Sequence, residues 1–407
     1  MSTRLRFYPS VTNPFHIEAL HTAVFSWGIA RALKGEFVVC TADSAQTAEV
    51  IEALEWLGLD WDEGLDMGGE HEPYEQAERQ ALYRPFVEQL IAQSAAEKRA
   101  DGAIYLQLPK HDDPMLVDDH GRVSPFFAAV CDDHLLGISH VVQEGTAFED
   151  LPIVQHLYQQ LGWEMPTWIY LPQLVLTENG QVTLEALQTA GYLPAALTNY
   201  LFLLGWTPPE GNEIFNPSAV KRQLRLEQLP HGEVVFNWAK LNGINRQYLS
   251  RLSDADLAEK IRPYLEDYYG RLPANEKWLT VLTHIIRPEM NKLEDAPELA
   301  VWALDEAFEM TLAAEEALAS PAAKAVLTQM IAELAHIVLL DAPTAVSILK
   351  TMTTQLKQAH GWSEAQIQQP LQAALSGDIA GPALSEVMGL LGKARCLERL
   401  GAAVRAF

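Results

Sequence analysis

Hydrophobic residues recur with two different spacings along the chain. Up to about residue 183, short apolar runs at 5–10 and 36–41 alternate with stretches of helical spacing at 16–33 and 47–57. This alternation is typical of a parallel sheet with helices between its strands. Beyond residue 184, nearly every segment has the three-to-four-residue spacing of an amphipathic helix. The pattern predicts an α/β domain followed by helical domains.

The α/β part is predicted to contain the following elements, in chain order: a strand at 5–10, a helix at 16–33, a strand at 36–41, a helix at 47–57, a helix at 74–99 with a break near Pro85, a polar connection at 101–124, strands at 126–130 and 137–142, a helix at 152–161, a strand at 167–176 and a turn at 178–181.

The remainder is predicted as helices, which are 193–204, 220–226, 236–252, 254–268, 274–285, 296–308, 311–318, 320–338, 343–358, 363–375 and 382–399. Together these patterns predict three domains, an α/β domain at 1–183, a helical linker domain at 184–268 and an all-α domain at 269–407.

The charge narrows the choice of partners. The 407 residues carry 54 Asp and Glu against 29 Lys and Arg, a formal net charge of −25. Generic DNA binding and attachment to an anionic membrane are not expected, because both need many cations. No Lys or Arg stands between Arg122 and Lys221, where ten acidic residues do. This stretch either promotes solubility or holds no phosphate, and its composition alone leaves both open.

Targeting and metal signals are weak. No apolar run reaches the ~18–20 residues that span a bilayer, and no apolar signal segment follows the N-terminal charges, so a cytoplasmic protein is expected. The three cysteines are far apart and form no disulfide or zinc pattern. The acidic stretches 112–113 and 118–120 could bind a cation through oxygens, but they better fit a solvated loop. No metal site is predicted.

Several strings of residues together resemble one family. They are Arg6-Phe-Tyr-Pro-Ser with Phe15-His-Ile, Leu54-Glu-Trp-Leu-Gly-Leu-Asp-Trp-Asp-Glu-Gly, Asp132-Asp-His-Leu-Leu-Gly-Ile-Ser-His, Gly191-Tyr-Leu-Pro-Ala-Ala-Leu-Thr-Asn-Tyr-Leu, and Leu390-Leu-Gly-Lys-Ala-Arg. With these strings in this order, the chain resembles a bacterial glutamyl-tRNA synthetase, which is a class I aminoacyl-tRNA synthetase. The resemblance implies a Rossmann-like catalytic domain at 1–183, a stem-contact-like domain at 184–268 and an anticodon-binding-like domain at 269–407.

The resemblance also implies a remnant of the substrate pocket, formed by Arg6, Ser10, His16 and Asp43. Two of these have a simpler alternative. Arg6 could pair with a nearby Asp or Glu, and His16 could be a packed histidine at a helix start.

Five positions depart from the family pattern where it handles substrate. Glu18 stands where the HIGH-type motif has a glycine that lets adenine approach the backbone. Ala42 lies in a segment that has lost the family's Arg and Glu. Pro125 and Ala129 replace a Tyr and an Asn of the amino-acid pocket, and Gln143 replaces the arginine that pairs with the substrate carboxylate.

Two segments are missing or shortened. Leu176 is followed almost at once by Thr183, so the Lys-Leu-Ser-Lys-type loop that stabilises the triphosphate is deleted. The insertion that holds the tRNA acceptor end, between Met67 and Arg122, is short. ATP binding is therefore doubtful, and no cofactor is expected.

These departures favour a catalytically inactive synthetase-like protein that acts as a binding or regulatory module for tRNA or a protein partner. One alternative is an active glutamate–tRNA ligase, or another amino-acid-activating enzyme, with a non-standard phosphate site. A third is a different small molecule in the old pocket, lined by Phe126, Phe127, Trp163 and Tyr170.

Two groups of cations are candidates for tRNA contact, with ordinary helix-surface charge as the alternative. They are Arg222, Arg225, Lys240 and Arg246 in the stem-contact-like region, and Lys393, Arg395 and Arg399 near the end.

Overall fold

The computed structural model describes residues 2–9, 15–108, 113–145, 151–176, 182–208, 211–216, 220–226, 229, 232–304 and 308–407. The predicted site residue Ser10 and the turn at 178–181 lie outside these ranges. The chain divides into two compact units, residues 1–245 and 246–407. The finer division into three domains stays a prediction.

The described strands are, in chain order, β1 (Arg4–Phe7), β2 (Glu36–Val39), β3 (Glu63–Gly64), β4 (Ala96–Lys98), β5 (Ile104–Leu106), β6 (Met115–Val117), β7 (His140–Glu144), β8 (Thr167–Leu171), β9 (Gln173–Val175) and β10 (Glu233–Val235). The described α-helices of the first unit are α1 (Ile17–Ala32), α2 (Ser44–Leu57), α3 (Gln80–Ala92), α4 (Pro125–Leu135), α5 (Leu151–Leu161), α6 (Leu184–Thr189), α7 (Pro194–Gly205), α8 (Val220–Gln223) and α9 (Trp238–Ser250), the last of which extends to the start of the second unit.

A five-stranded parallel sheet forms the centre of the first unit. Its strand order is β3-β2-β1-β7-β8, and every neighbouring pair runs parallel. Phe37, Val38 and Val39 of β2 are fully buried, as expected for a strand covered on both faces. Helix α1 packs on β1, β2 and β7. The predicted parallel α/β sheet is therefore present.

The segment predicted as one helix at 74–99 and a polar connection at 101–124 is different in the structure. Helix α3 ends at Ala92 and continues through Pro85 without a break. Ser94 has a positive φ of 57°, which ends the helical path. Strands β4, β5 and β6 then form a small antiparallel sheet. Strands of three residues are too short for their alternation to be visible in the sequence.

The predicted strand at 126–130 is wrong, because these residues belong to helix α4. Ser124 caps the helix, its side chain accepting a hydrogen bond from Phe127 N, and Pro125 occupies the first turn. Proline there is pre-organised for a helix. The aromatic and β-branched residues suggested a strand, but the Ser-Pro start signal describes this segment better. Asp132 and Asp133 consequently lie on a helix.

The second unit is helical, as predicted. Its α-helices are α10 (Asp254–Tyr269), α11 (Glu276–Ile286), α12 (Ala296–Leu299), α13 (Val301–Leu304), α14 (Leu312–Leu318), α15 (Ala323–Ala335), α16 (Ala342–His360), α17 (Glu364–Ser376) and α18 (Leu384–Ala406). The helix predicted at 296–308 is instead the two short helices α12 and α13, with 305–307 outside the described residues. Gly392 interrupts α18 with a φ of 73°. Among the described residues, no helix is both long and apolar enough to span a membrane.

Candidate functional site

A pocket of about 510 Å³ lies beside the carboxyl ends of β1 and β7. In an open parallel sheet, ligands bind in the crevice at this end of the strands. Predicted site residues from four separate segments of the chain meet here, namely Arg6, Glu18, Pro125, Ala129 and Gln143. The structure thus brings together one predicted remnant and four of the five departures from the family pattern.

Two helices form the sides of the pocket. Helix α1 contributes Glu18, Ala19 and Thr22, and α4 contributes Pro125 and Ala129. Residues three or four apart share one face of a helix. Glu18, in the first turn of α1, is therefore a pocket residue and not simply a residue at the protein surface.

Arg6 is the pocket's cation, and it is already paired. Its Nε donates to Asp133 Oδ1 at 2.7 Å and its Nη2 donates to Oδ2 at 3.1 Å. The side chain of Asp133 is only 3% exposed, and burial raises the pKa of this carboxyl while the guanidinium opposes the rise. The simpler alternative for Arg6, an ion pair with a nearby acid, describes what the structure contains. One edge of the guanidinium is occupied.

The neighbouring Asp132 forms a second buried ion pair. Arg79 Nε donates to it at 2.6 Å, and the Tyr83 hydroxyl lies 2.9 Å from each of its oxygens. Burial raises the pKa of Tyr83, so its hydroxyl remains a donor at neutral pH. From the sequence, an acidic partner was expected for Arg6 without Asp133 being identified, and the pair of Arg79 with Asp132 was not predicted. Two consecutive Asp residues within an apolar helix were the available signal, because buried carboxylates require cations.

Strand β7 ends with Gln143 and Glu144, which both line the pocket. Oε1 of Glu144 lies 3.2 Å from Nδ1 of His21, a fully buried histidine of α1. Gln143 was predicted from the sequence as a site residue, whereas Glu144 and His21 were not. Neither shows a recognisable motif, since their proximity depends on β7 lying beneath α1.

Among the described residues, two predicted remnants, His16 and Asp43, and the fifth departure, Ala42, do not line the pocket. Asp43 caps α2 by accepting a hydrogen bond from Ala45 N at 3.0 Å, and the carbonyl of Ala42 accepts one from Ala77 N at 2.9 Å. His16 immediately precedes α1 and bridges to Thr183. Its Nδ1 is buried without a hydrogen-bond partner in the described part of the chain. These three residues therefore support the backbone around the sheet and stand apart from the pocket lining.

Of the four aromatic residues proposed for an altered pocket, only Phe126 lines it. Phe127 is fully buried in the core, and Trp163 stacks on His134 with ring centroids 3.9 Å apart. Tyr170 is tilted against Trp168. The other aromatic residues of the described lining are Phe7, Tyr8 and Trp168.

The cations near the chain end contact backbone carbonyls. Lys393 Nζ donates to Ile337 O at 2.6 Å and to Ala335 O at 3.1 Å. Arg395 donates to Ala303 O, and Arg399 donates to the carbonyls of Trp302 and Leu375. Cations favour the carbonyl ends of helices. Lys393, Arg395 and Arg399 therefore contribute to the tertiary packing of the second unit.

Three of the four cations predicted for the stem-contact-like region, Arg225, Lys240 and Arg246, also have side-chain contacts. Lys240 pairs with Glu213 at 2.9 Å, and Arg225 donates to the carbonyls of Arg222 and Leu224. In the second unit, Arg246 donates twice to Asn291 Oδ1. Their role in tRNA contact stays a prediction.

No group of metal-ligating side chains that could hold an ion occurs within the described ranges. The acidic loop segments have other contacts there, since Asp113 pairs with Arg99 and Asp118 pairs with Arg122. Asp112 lies outside the described residues.

Family comparisons agree with this architecture. Residues 2–107 and 117–243 match the catalytic domain of tRNA synthetases class I (E and Q), and residues 256–404 match the anticodon binding domain. The glutamate–tRNA ligase of Thermus thermophilus is 27% identical, with 97% of this chain and 98% of the relative covered. That of Desulforamulus reducens is 28% identical, with both chains covered completely.

Solved structures show the same fold. A glutamate tRNA ligase from Elizabethkingia meningosepticum superimposes with a TM-score of 0.84 at 21% identity, over 100% of this chain and 99% of the other. The synthetase from Elizabethkingia anophelis gives 0.83, with both chains covered completely. The predicted fold class is confirmed. Because the catalytic-domain match spans more than half of the sequence, the chain belongs to the class I tRNA synthetases of the E and Q type, and it resembles glutamate–tRNA ligases over nearly its whole length.

Proposed function

We propose that this protein is a glutamyl-tRNA synthetase-like binding module that does not activate glutamate with ATP. The observation that carries the proposal is the charge arrangement in the pocket. Its one lining cation among the described residues, Arg6, is paired with Asp133, and the carboxylates of Glu18 and Glu144 line the same space. Glutamate and ATP are both anions, so this arrangement disfavours both.

The pocket lacks the polar side chains that would hold glutamate. Gln143, Pro125 and Ala129 line the pocket where the family resemblance implies an arginine, a tyrosine and an asparagine. Proline and alanine side chains offer no hydrogen bond, and glutamine offers no charge. Removing one partner of a buried, hydrogen-bonded charge pair costs about 2–5 kcal/mol of binding. Such a loss is enough to remove useful affinity for glutamate.

The chain also lacks cations that would bind the phosphates of ATP. Phosphate sites usually recruit Lys or Arg, and the sequence has none between Arg122 and Lys221. The loop that would supply them is absent from the sequence between Leu176 and Thr183, where residues 177–181 are outside the described ranges. Glu18 lines the pocket where the family pattern has glycine. A carboxylate there repels a triphosphate.

Transfer RNA is the partner class that the comparisons favour for the helical part, because residues 256–404 match an anticodon binding domain. The net charge of −25 limits this interaction to a local basic face. A protein partner is the remaining possibility, and the helical surfaces identify no particular one.

An active glutamate–tRNA ligase is the second candidate. The observation in its favour is that relatives of that name align with 97–100% of this chain and 98–100% of their own length. Such an enzyme needs a phosphate site that the family motifs do not describe.

ATP–pyrophosphate exchange with glutamate separates the two candidates. The assay is run with and without tRNA, and the Thermus thermophilus ligase serves as the positive control. We expect no exchange above background. If exchange is seen and the variant Arg6→Ala abolishes it, the activity belongs to this chain and the proposal is wrong. Exchange that survives in the variant and stays with the protein through further purification refutes the proposal equally, whereas exchange that separates from the protein indicates a contaminating enzyme.

Filter binding with tRNA at increasing salt tests the partner. We expect binding at about 50 mM salt that weakens steeply as salt rises, because phosphate contacts release counterions. Absence of binding at the low-salt point contradicts the tRNA proposal and leaves a protein partner.

A further inference from the structure

We infer that the pocket beside β1 and β7 binds an organic cation, specifically a primary amine with an apolar or aromatic body. This inference rests on the proposed function, because a pocket that still accepted glutamate and ATP would be filled by anions. The inferred ligand has the opposite charge to glutamate and ATP and occupies the same cavity.

The charge balance of the lining supports a cation. Three carboxylates line the pocket, those of Glu18, Asp133 and Glu144. The described lining contains a single Lys or Arg, Arg6, and its bidentate bonds to Asp133 neutralise that pair. Two carboxylates remain, so the formal charge of the described lining is about −2 with histidine neutral.

These two carboxylates come from different elements on neighbouring sides of the cavity. Glu18 lies in the first turn of α1, and Glu144 ends β7. The link between the two elements is His21, one helical turn after Glu18, whose Nδ1 lies 3.2 Å from Glu144 Oε1. An ammonium group donates in three directions, so it can bond to more than one carboxylate of the lining.

The remaining lining is mostly apolar. Phe126 of α4 and Trp168 of β8 present aromatic rings, and Ala129 and Val142 add small aliphatic surfaces. Aromatic faces attract cations, and an apolar surrounding strengthens the attraction between opposite charges. A volume of about 510 Å³ falls within the usual range for small-molecule sites. The cavity therefore has room for an apolar body as well as a charged head.

A metal ion is a poorer fit to the same carboxylates. No group of three metal-ligating side chains is present in the described chain, and hard cations usually take six or more oxygen ligands. An apolar wall with two separate carboxylates suits a ligand that needs both contacts at once.

Calorimetric titration of the full chain with three matched probes tests the inference. The probes are phenethylamine, 2-phenylethanol and 3-phenylpropionate, which share an aromatic body and carry a positive, zero or negative charge. We expect phenethylamine to bind about tenfold or more tightly than either of the others, a difference that corresponds to about one well-placed charge contact. Glu18→Gln and Glu144→Gln should each weaken phenethylamine binding about three- to tenfold.

The matched control is Glu88→Gln, which removes the same charge from an exposed position on α3. It should leave all three affinities unchanged, and thermal unfolding verifies that every variant is folded. To locate the site, Ala129→Leu places a larger side chain in the cavity and should weaken binding of phenethylamine.

Three results overturn the inference: 3-phenylpropionate binds as tightly as phenethylamine, phenethylamine gives no binding up to about 10 mM, or the preference for the amine persists in both carboxylate variants. The ATP–pyrophosphate exchange assay tests the proposed function independently of the amine titration. Silent exchange without amine binding refutes only the ligand class, whereas exchange that depends on Arg6 refutes the proposed function.

Discussion

Arg6 of β1 and Asp133 of α4 form a bidentate ion pair, with distances of 2.7 and 3.1 Å, in which the carboxylate is almost fully buried. The pair connects the centre of the sheet to one side of the pocket. It keeps the arginine of the family resemblance while occupying one edge of its guanidinium. A retained arginine is therefore not by itself evidence of an unpaired cation in the pocket.

Breaking this pair should destabilise the first unit strongly. Arg6→Met or Asp133→Leu leaves one buried charge without a partner, and we expect a loss of about 3–5 kcal/mol in the free energy of unfolding. The double variant removes both charges and should lose less than the sum of the single losses. Urea unfolding followed by circular dichroism measures all three. Additive losses would contradict direct coupling of the two residues.

Stability should fall in acid partly through Glu63. Burial acts to raise the pKa of this carboxyl, but hydrogen bonds from Tyr74, Arg4 and His71 outweigh it, so the pKa is lowered from 4.5. Below pH 4.5 the unfolded chain takes up the proton first, so the stability that the carboxylate provides is present above pH 4.5 and is lost as pH falls through the lowered pKa.

Glu63→Gln should consequently be less stable than the natural sequence at pH 6, and the difference should shrink toward pH 3. Urea unfolding across this range measures it, with the exposed Glu88→Gln as control. A difference that stays constant with pH would show that Glu63 acts through packing alone.

Two glycines in helices should respond oppositely to alanine. At Gly28 of α1, a Cβ would lie 2.6 Å from the fully buried ring of Phe202, whereas at the exposed Gly243 of α9 it would meet nothing within 4 Å. Alanine favours helices by about 1 kcal/mol relative to glycine. Gly243→Ala should therefore raise the free energy of unfolding by about 0.5–1 kcal/mol. Gly28→Ala should lower it by about 1–3 kcal/mol because overpacking outweighs propensity. Urea unfolding of both variants measures the two changes, and a gain in stability at Gly28 would contradict the close packing against Phe202.

The parallel sheet and its crossover helices were predictable because strand and helix spacings extend over several residues. The assembly of Arg6, Glu18, Pro125, Ala129 and Gln143 was predictable only from the family resemblance, since these positions are far apart in sequence. The roles of Asp133 and Glu144 in the pocket depend on tertiary contacts and were not predicted. The positions of Asp133 and Glu144 follow from α4 being a helix and from β7 lying beneath α1, and neither is visible in local patterns.

The same limit explains the cations of the last helix. Their spacing could equally indicate a solvated basic face, but Arg399 contacts two backbone carbonyls at 2.6 Å and lies over the ring of Phe308. The carbonyl groups that Arg399 contacts belong to other helices, so the sequence of α18 alone does not predict these contacts.

Arg399→Gln should therefore reduce the stability of the second unit. Two hydrogen bonds from a charged group and a ring contact are lost, and we expect a decrease of about 2–4 kcal/mol in the free energy of unfolding. The exposed Arg405→Gln, on the same helix, should change it by less than about 0.5 kcal/mol. If tRNA binding falls in Arg399→Gln while stability is unchanged, the structural role is wrong and direct contact with tRNA is favoured.

The pocket's preference for a cation should weaken when a positive charge is added to it. Gln143 lines the pocket beside Glu144, so Gln143→Arg adds a positive charge close to the carboxylates that attract an amine. The new guanidinium can pair with Glu144, which leaves Glu18 as the unpaired carboxylate and halves the negative charge. We expect phenethylamine binding to weaken about tenfold and 3-phenylpropionate binding to strengthen, as measured by calorimetric titration. Gln93→Arg adds the same charge at an exposed position outside the pocket and should leave both affinities unchanged. An equal effect of the two variants would mean that the overall charge of the protein, and not the pocket, governs the preference.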